Sequence, residues 1–238
     1  MEVKRPRVGD NSRAASLPGL AWLDLKGQTR LGTQNLVSGS RVYGERIVFL
    51  SGREYRIWDP YRSKLAAGIL KGLKIVPFEE GTAVLYLGVS TGTTASHISD
   101  MIGKTGVLFG VEMAPRVGRE FIENVAVKRN NVVPIIADAR RPELYTAVFR
   151  NVDVTYCDIA QPHQTRIAMG NCERFLKKNG YLMLVVKARS IDSVKAPKMV
   201  FREEAKKLDA GGFNIIQKVE LEPYDRDHAL ILAKYHPN

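Results

Sequence analysis

From Pro77 onward, short apolar runs alternate with segments of helical period, and few architectures accept that order. "AVLYLG" predicts a strand and "TTASHISDMIG" a helix closed by Gly103. "GVLFGVE", "VVPIIAD" and "VDVTYCD" predict further strands, separated by helices over "PRVGREFIENVAVKR" and "RPELYTAVF". "TRIAMGNCERFLKKNG" predicts a helix ending in a basic last turn and a glycine. "YLMLVVKA" is the next strand, and "SVKAPKMVFREEAKKLDAGG" a helix with Pro197 near its start. "FNIIQKVEL" and "HALILAKY" follow with only "EPYDRD" between them, which predicts a hairpin. Such short apolar runs are those of parallel strands buried on both faces. The expected fold is α/β, with one strand of an otherwise parallel sheet running antiparallel.

The chain changes character near Tyr55. "TRLGTQNLV", "ERIVFLSG" and "REYRIWD" are rich in β-branched and aromatic residues and bounded by turn formers. They predict a small antiparallel β domain over residues 1–55, with the larger domain over 56–238. A helix is expected from "WDPYRSKLAAGILKGL", with Asp59 as N-cap and Pro60 in the first turn. Leu65, Ile69 and Leu73 form its apolar face.

The formal net charge of +11 favours an anionic partner, most often nucleic acid, although a merely soluble basic protein has the same balance. Cys157 and Cys172 form no CxxC pair, so neither a disulfide framework nor a zinc site is expected, and a reducing cytoplasm fits. Lys4, Arg5 and Arg7 precede no apolar stretch of signal-peptide or membrane-spanning length, so no membrane partner is expected.

In open α/β sheets, ligands bind at the carboxyl ends of the strands. The first such end carries Gly88 and Gly92; the next three carry Glu112, Asp138 and Asp158. A carboxylate at Glu112 can accept both hydroxyls of a ribose. Asp138 can take the amino group of an adenine, and Asp158 overlies the centre. Singly, Glu112 and Asp138 are equally compatible with helix or loop caps; the glycine turn in register tips the balance to binding. The spacing is G-x-x-x-G, neither G-x-G-x-x-G nor a triphosphate-holding loop. An adenosine with little phosphate fits, and S-adenosyl-L-methionine is the leading candidate, since glycines permit close backbone approach.

The strings "YRIWDPYRSKLAAGI", "YLGVSTGTTASHISD", "VDVTYCDIAQP", "VKARSID" and "DRDHALILAKY" resemble fibrillarin in its archaeal form, from about residue 30 to the end. The resemblance implies a class I S-adenosylmethionine-dependent methyltransferase fold, a Rossmann-like mixed seven-stranded sheet, behind a small N-terminal β domain. It implies 2′-O-methylation of ribose in rRNA and tRNA, guided by box C/D RNA. It implies a particle completed by a Nop-domain scaffold protein and a kink-turn-binding ribosomal-type protein. The absence of a glycine- and arginine-rich tail points to the archaeal, cytoplasmic type. The chain departs from the family in Val89, Ser90 and Thr91 within the turn and in Met113 after Glu112. The implied cofactor contacts are Gly88, Thr93, Thr94, Glu112, Met113, Asp138 and Ala139, then Asp158, Ile159, Ala160 and Gln161.

A ribose 2′-hydroxyl holds its proton well above neutral pH, whereas a sulfonium methyl needs little activation. The catalyst must align oxygen with methyl and help the proton leave. Lys64, Asp158, Lys187 and His228 lie on elements expected at the sheet's carboxyl edge, and the resemblance implies the same set. Lys187 ends six residues of apolar strand and serves as base or 2′-oxygen stabiliser, with a neighbouring cation at Lys64 and Asp158 to orient it. His228 positions the hydroxyl or relays the proton. Lys195, Lys198, Arg202 and Lys206 recur at helical spacing beyond Arg189 and form a stripe suited to an RNA backbone, or else a solvated face. Arg62 adds charge near Lys64. Two other classes compete. The missing G-x-G-x-x-G argues against a dehydrogenase, and the intact Lys-Asp-Lys-His set against a catalytically silent scaffold on a methyltransferase fold.

Overall fold

The computed structural model describes residues 19–148 and 151–237; Lys4, Arg5, Arg7 and Phe149 lie outside them. The first four strands are β1 (Leu20–Leu25), β2 (Gln28–Gln34), β3 (Ile47–Leu50) and β4 (Arg53–Ile57). They pair antiparallel in the order β1-β2-β4-β3. The strand β1 precedes the three sequence segments expected to be extended.

The larger sheet contains β5 (Ala83–Leu87), β6 (Val107–Glu112), β7 (Val132–Ile136), β8 (Val152–Cys157) and β9 (Leu176–Lys187). The hairpin β10 (Phe213–Glu220) and β11 (His228–Tyr235) completes it. The order is β10-β11-β9-β8-β5-β6-β7, and β11 runs antiparallel to both its neighbours while β5 to β9 pair parallel. This is the mixed seven-stranded sheet expected. Alternate residues feed two cores, Val84, Tyr86 and Val185 on one face and Leu85, Leu87 and Leu184 on the other.

The helices are α1 (Lys64–Leu70), α2 (Thr93–Ile102), α3 (Pro115–Asn124), α4 (Gln164–Phe175), α5 (Ala188–Ile191) and α6 (Pro197–Ala210). Several boundaries differ from those expected. Asp59 does not cap α1. Its side chain accepts from Tyr61 N–H and its carbonyl from Arg62 N–H, closing a local turn. Ser63, extended at φ −145°, caps the helix through Ala66 N–H instead. The helix α3 stops before Val125, whose fully buried side chain packs at the Gly92 turn, and residues 126–128 form a 3₁₀ turn. Residues 142–145 are likewise 3₁₀.

The basic end expected for α4 belongs to β9. Phe175 and Leu176 are buried, Leu176 pairs with Val152, and the register then slips so that Val154 faces Tyr181. The bulge of residues 177–180 holds Lys177 against Asp153 at 2.6 Å. The helix α6 begins at Pro197, so Lys195 precedes it rather than extending its basic stripe.

The small sheet is fastened to α2 by a buried charge network. Arg56 is fully buried, with its Nη2 2.6 Å from Glu45 and its Nη1 2.9 Å from Asp100. The second oxygen of Asp100 takes Arg129 at 2.6 Å. Two guanidiniums thus meet two carboxylates. Burial disfavours both cations, but at Arg56 the two carboxylates more than offset it, and its pKa rises. At Arg129 burial and the like charge of Arg56 outweigh Asp100, and the pKa falls.

His97, buried in the same seam, meets Thr33 Oγ1 at 2.8 Å and Tyr43 Oη at 2.7 Å. Thr33 gives its hydroxyl hydrogen to Asp100 at 2.7 Å, so it accepts from His97 Nδ1–H, and Nε2 accepts from Tyr43. Burial, then the charges of Arg56 and Arg129, hold His97 neutral, well below the ordinary histidine value. Among the described residues, no helix is long and apolar enough to cross a membrane.

Two outcomes follow for stability. Asp100→Ala leaves the buried Arg129 without a carboxylate and Arg56 with Glu45 alone, and is expected to cost about 3–5 kcal/mol in urea unfolding. Protonation of His97 is open only to the unfolded chain below the ordinary value of 6.5. Stability should therefore fall by up to about 1.4 kcal/mol per pH unit for this group as pH drops from there toward 5, in addition to any common baseline. His97→Gln should remove that part of the slope.

Candidate active site

At the carboxyl end of β5 the chain turns at Gly88, with φ +80°. A Cβ there would meet the carbonyl oxygen of Asp158 at 2.9 Å and the Ile159 side chain at 2.9 Å. Two loop backbones therefore touch, and only glycine allows it. Gly92, at φ +97°, turns the chain again into α2. This is the strand, tight turn and helix expected from the sequence.

Beyond the turn lies a cavity of about 290 Å³. The loop after β5 contributes Gly88 and Ser90, and the end of β6 contributes Val111, Glu112 and Met113. The loop after β7 adds residues 137–140, the loop after β8 adds Asp158, Ile159, Ala160 and Gln161, and β9 adds Lys187. Larger cavities of about 320, 480 and 700 Å³ have other linings and lack this convergence of strand ends; the first of them borders His228. Glu112 is held by Ser90 N–H at 3.1 Å on one oxygen and Ala114 N–H at 3.0 Å on the other. Each oxygen retains a lone pair, the arrangement a vicinal diol needs. Asp138 is gripped by Arg140 through Nη2 at 2.6 Å, and the hydrogen bonds from Arg140 hold its carboxyl below the usual range. An amino group arriving at Asp138 shares the carboxylate with that guanidinium.

Thr93 and Thr94, expected at the cofactor, do not line this cavity. Thr94 is buried, and its hydroxyl lies 2.9 Å from that of Ser63, the cap of α1. Its visible role is to join the start of α1 to the glycine turn.

Lys64, Asp158, Lys187 and His228 come together. Asp158 lies between the two ammoniums, 3.3 Å from Lys64 and 2.8 Å from Lys187. Lys187 also donates to the Asp158 carbonyl at 3.0 Å. Register pairs Lys187 with His228 across β9 and β11. A second carboxylate, Asp225, links Lys64 at 3.6 Å to His228 at 2.8 Å. His228, Asp225, Lys64, Asp158 and Lys187 form one chain of alternating charge-bearing groups.

Sequence reasoning missed Ser63, Ser90, Arg140, Gln164 and Asp225. Gln164 is fully buried; its Oε1 accepts from Lys187 N–H at 3.1 Å and its Nε2 donates to Gln161 O at 3.2 Å. It ties the end of β9 to the loop after β8. Asp225, three residues before His228 in "EPYDRDH", was the one with a readable signal.

The basic residues expected to meet RNA are largely paired. Arg189 meets Asp227 at 3.0 Å, Lys195 meets Glu203 at 2.9 Å and Lys198 approaches Glu220 at 3.9 Å. Arg62 lies over the Tyr43 ring, and Arg202 is exposed on α6.

The sequence model of the family described as Fibrillarin matches residues 13–237. A fibrillarin-like rRNA/tRNA 2′-O-methyltransferase of Saccharolobus islandicus is 54% identical over 209 residues, 88% of this chain and 90% of its own. The crystal structure of Aeropyrum pernix fibrillarin with natively bound S-adenosyl-L-methionine is 49% identical, with a TM-score of 0.86 over 93% of this chain and 96% of that one. A fibrillarin in complex with Nop5p is 40% identical, with a TM-score of 0.80 over 92% of this chain and 98% of that one.

Gly88→Ala forces a side chain into a left-handed position against the Asp158 carbonyl. It is expected to cost about 1–3 kcal/mol in thermal or urea unfolding and to loosen the loop after β8. Gly27→Ala, at a similar φ but in open space, should lack the contact component.

Proposed function

The chain belongs to the fibrillarin family, and we propose that it transfers a methyl group from S-adenosyl-L-methionine to ribose 2′-hydroxyls of rRNA and tRNA. The observation that carries this is the meeting of two half-sites at one sheet edge: a cavity closed by a diol-ready Glu112, and the Lys64–Asp158–Lys187 ion cluster beside it.

The donor set fits the cofactor. Glu112 accepts the ribose hydroxyls, Met113, Ala139 and Ile159 offer apolar surface to the adenine, and Asp138 receives its amino group beside Arg140. The glycine turn and residues 158–161 hold the amino-acid end. The bound cofactor supplies an electrophilic sulfonium methyl.

The remaining work is done by side chains. Lys187 directs its ammonium at a carboxylate and a carbonyl, both acceptors, and presents no acceptor of its own. It therefore acts as the stabiliser of negative charge developing on the 2′-oxygen rather than as its base. Asp158 orients both lysines, Lys64 completes the positive field, and His228 relays the departing proton. Partial burial of the cluster strengthens each of these interactions.

Among the described residues there is no base-reading module to supply sequence choice, and Arg189, Lys195 and Lys198 face carboxylates. Similarity to a fibrillarin solved with Nop5p supports a Nop-domain scaffold as partner. A box C/D guide RNA selects the target by pairing, and a kink-turn-binding protein completes the particle.

The test is labelled-methyl transfer in the particle assembled from these components. Lys187→Ala is expected to lower the single-turnover rate by about 100-fold or more. Calorimetric affinity for S-adenosyl-L-methionine should stay within about twofold, since the lost contact belongs to the transition state. Glu112→Ala should do the opposite, weakening the cofactor by about tenfold or more. Near-normal turnover in Lys187→Ala contradicts the assignment.

A further inference from the structure

One carboxylate of the cluster has no part in the chemistry described above. Asp225 lies in the connection between β10 and β11, where its Oδ1 is 2.8 Å from His228 Nδ1 and its Oδ2 is 3.6 Å from Lys64 Nζ. The carbonyl oxygen of Arg226 faces the same ring nitrogen. Partial burial pushes the Asp225 carboxyl up, but the hydrogen bond from His228 and the charge of Lys64 more than offset it and hold it below the usual range. At neutral pH both oxygens facing Nδ1 are therefore acceptors only. A ring nitrogen that faces two acceptors carries the hydrogen, and the neutral imidazole then has its lone pair on Nε2.

We infer that Asp225 is a positioning residue: it fixes His228 in the Nδ1–H tautomer and leaves Nε2 as the acceptor of the 2′-hydroxyl proton. The inference rests on the methyl transfer proposed above. In that step the 2′-oxygen forms a bond to the methyl carbon, and the carbon–sulfur electron pair returns to sulfur as a neutral thioether. The O–H bond breaks and its proton passes to Nε2, giving an imidazolium. Asp225 then faces a cation, an ion pair that exists only after the proton has moved. A carboxylate that orients an imidazole and meets its charge in the transition state is a known device of hydrolytic triads.

The assignment separates two roles that the sequence left merged. Lys187, anchored on Asp158, stabilises the oxygen, while His228, with one nitrogen kept free, takes the proton. Asp225 does not line the cofactor cavity and acts through His228. Its second oxygen, toward Lys64, keeps the turn at residues 221–227 registered with α1.

Nitrogen-15 spectra of histidine-labelled chain, taken at alkaline pH, read the tautomer without RNA. The expected signature is Nδ1–H. In the assembled particle, Asp225→Asn should lower the single-turnover rate by about tenfold or more with cofactor affinity unchanged, because an amide can offer a donor where the carboxylate cannot. In a His228→Ala background the same change should bring no further loss. A dominant Nε2–H tautomer, an unaltered rate in Asp225→Asn, or losses that multiply in the double variant would each overturn the inference. Absence of methyl transfer by the wild-type particle instead overturns the underlying function, and the tautomer spectrum distinguishes that failure from this one.

Discussion

A fully buried guanidinium is the constraint from which the geometry of the site follows. Arg56 is tolerated inside the protein only because Glu45 and Asp100 meet it from two sides. Glu45 and Arg56 belong to the small sheet and the loop beside it, whereas Asp100 belongs to α2, so the sheet cannot shift on the helix without stranding charge. The first turn of that helix follows the glycine turn and carries Thr94. Thr94 meets Ser63, Ser63 caps α1, and the first residue of α1 is Lys64. A structural ion network thus sets where one ammonium of the proposed site, that of Lys64, stands. The polar seam also explains why the small sheet is an integral part of the machine.

The other side of the site is set by close approach. Gly88 lets the backbone of the loop after β8 lie against the loop after β5, and Gln164 ties that loop to the end of β9. Asp158 and Lys187 are placed by these contacts, so their 2.8 Å pairing follows from backbone geometry. The register of β9 with β11 then brings His228 alongside. Cofactor cavity and ion cluster consequently share a wall, the residues after β8. That shared wall is what an in-line transfer between a bound methyl and an incoming oxygen requires.

Much of this was legible in the sequence, and the reasons are physical. Parallel strands buried on both faces leave continuous apolar runs, and strand ends carry the acidic residues, so the sheet and its edge could be read directly. Lys187 stood out because a charge after six apolar residues is costly without a purpose. Boundaries were less legible where a tertiary partner overrode a local signal. Asp59 looks like a cap but spends its carboxylate on Tyr61. The run from Lys177 to Gly180 looks like a helix end, yet burial of Phe175 and Leu176 draws it into a bulged strand. Thr94 looks like part of a binding turn, but its partner, Ser63, is 31 residues away. A glutamine that acts by holding other residues, as Gln164 does, leaves no periodic trace at all, and Asp225 shows only in its spacing from His228.

The central claim is that this edge methylates a ribose oxygen. Its most direct test is the position of the label after methyl transfer from S-adenosyl-L-methionine in the assembled particle. A methylated 2′-oxygen cannot attack the adjoining phosphate, so alkaline digestion should leave the label in alkali-resistant dinucleotides. Label released in mononucleotides, on a base, would contradict the account.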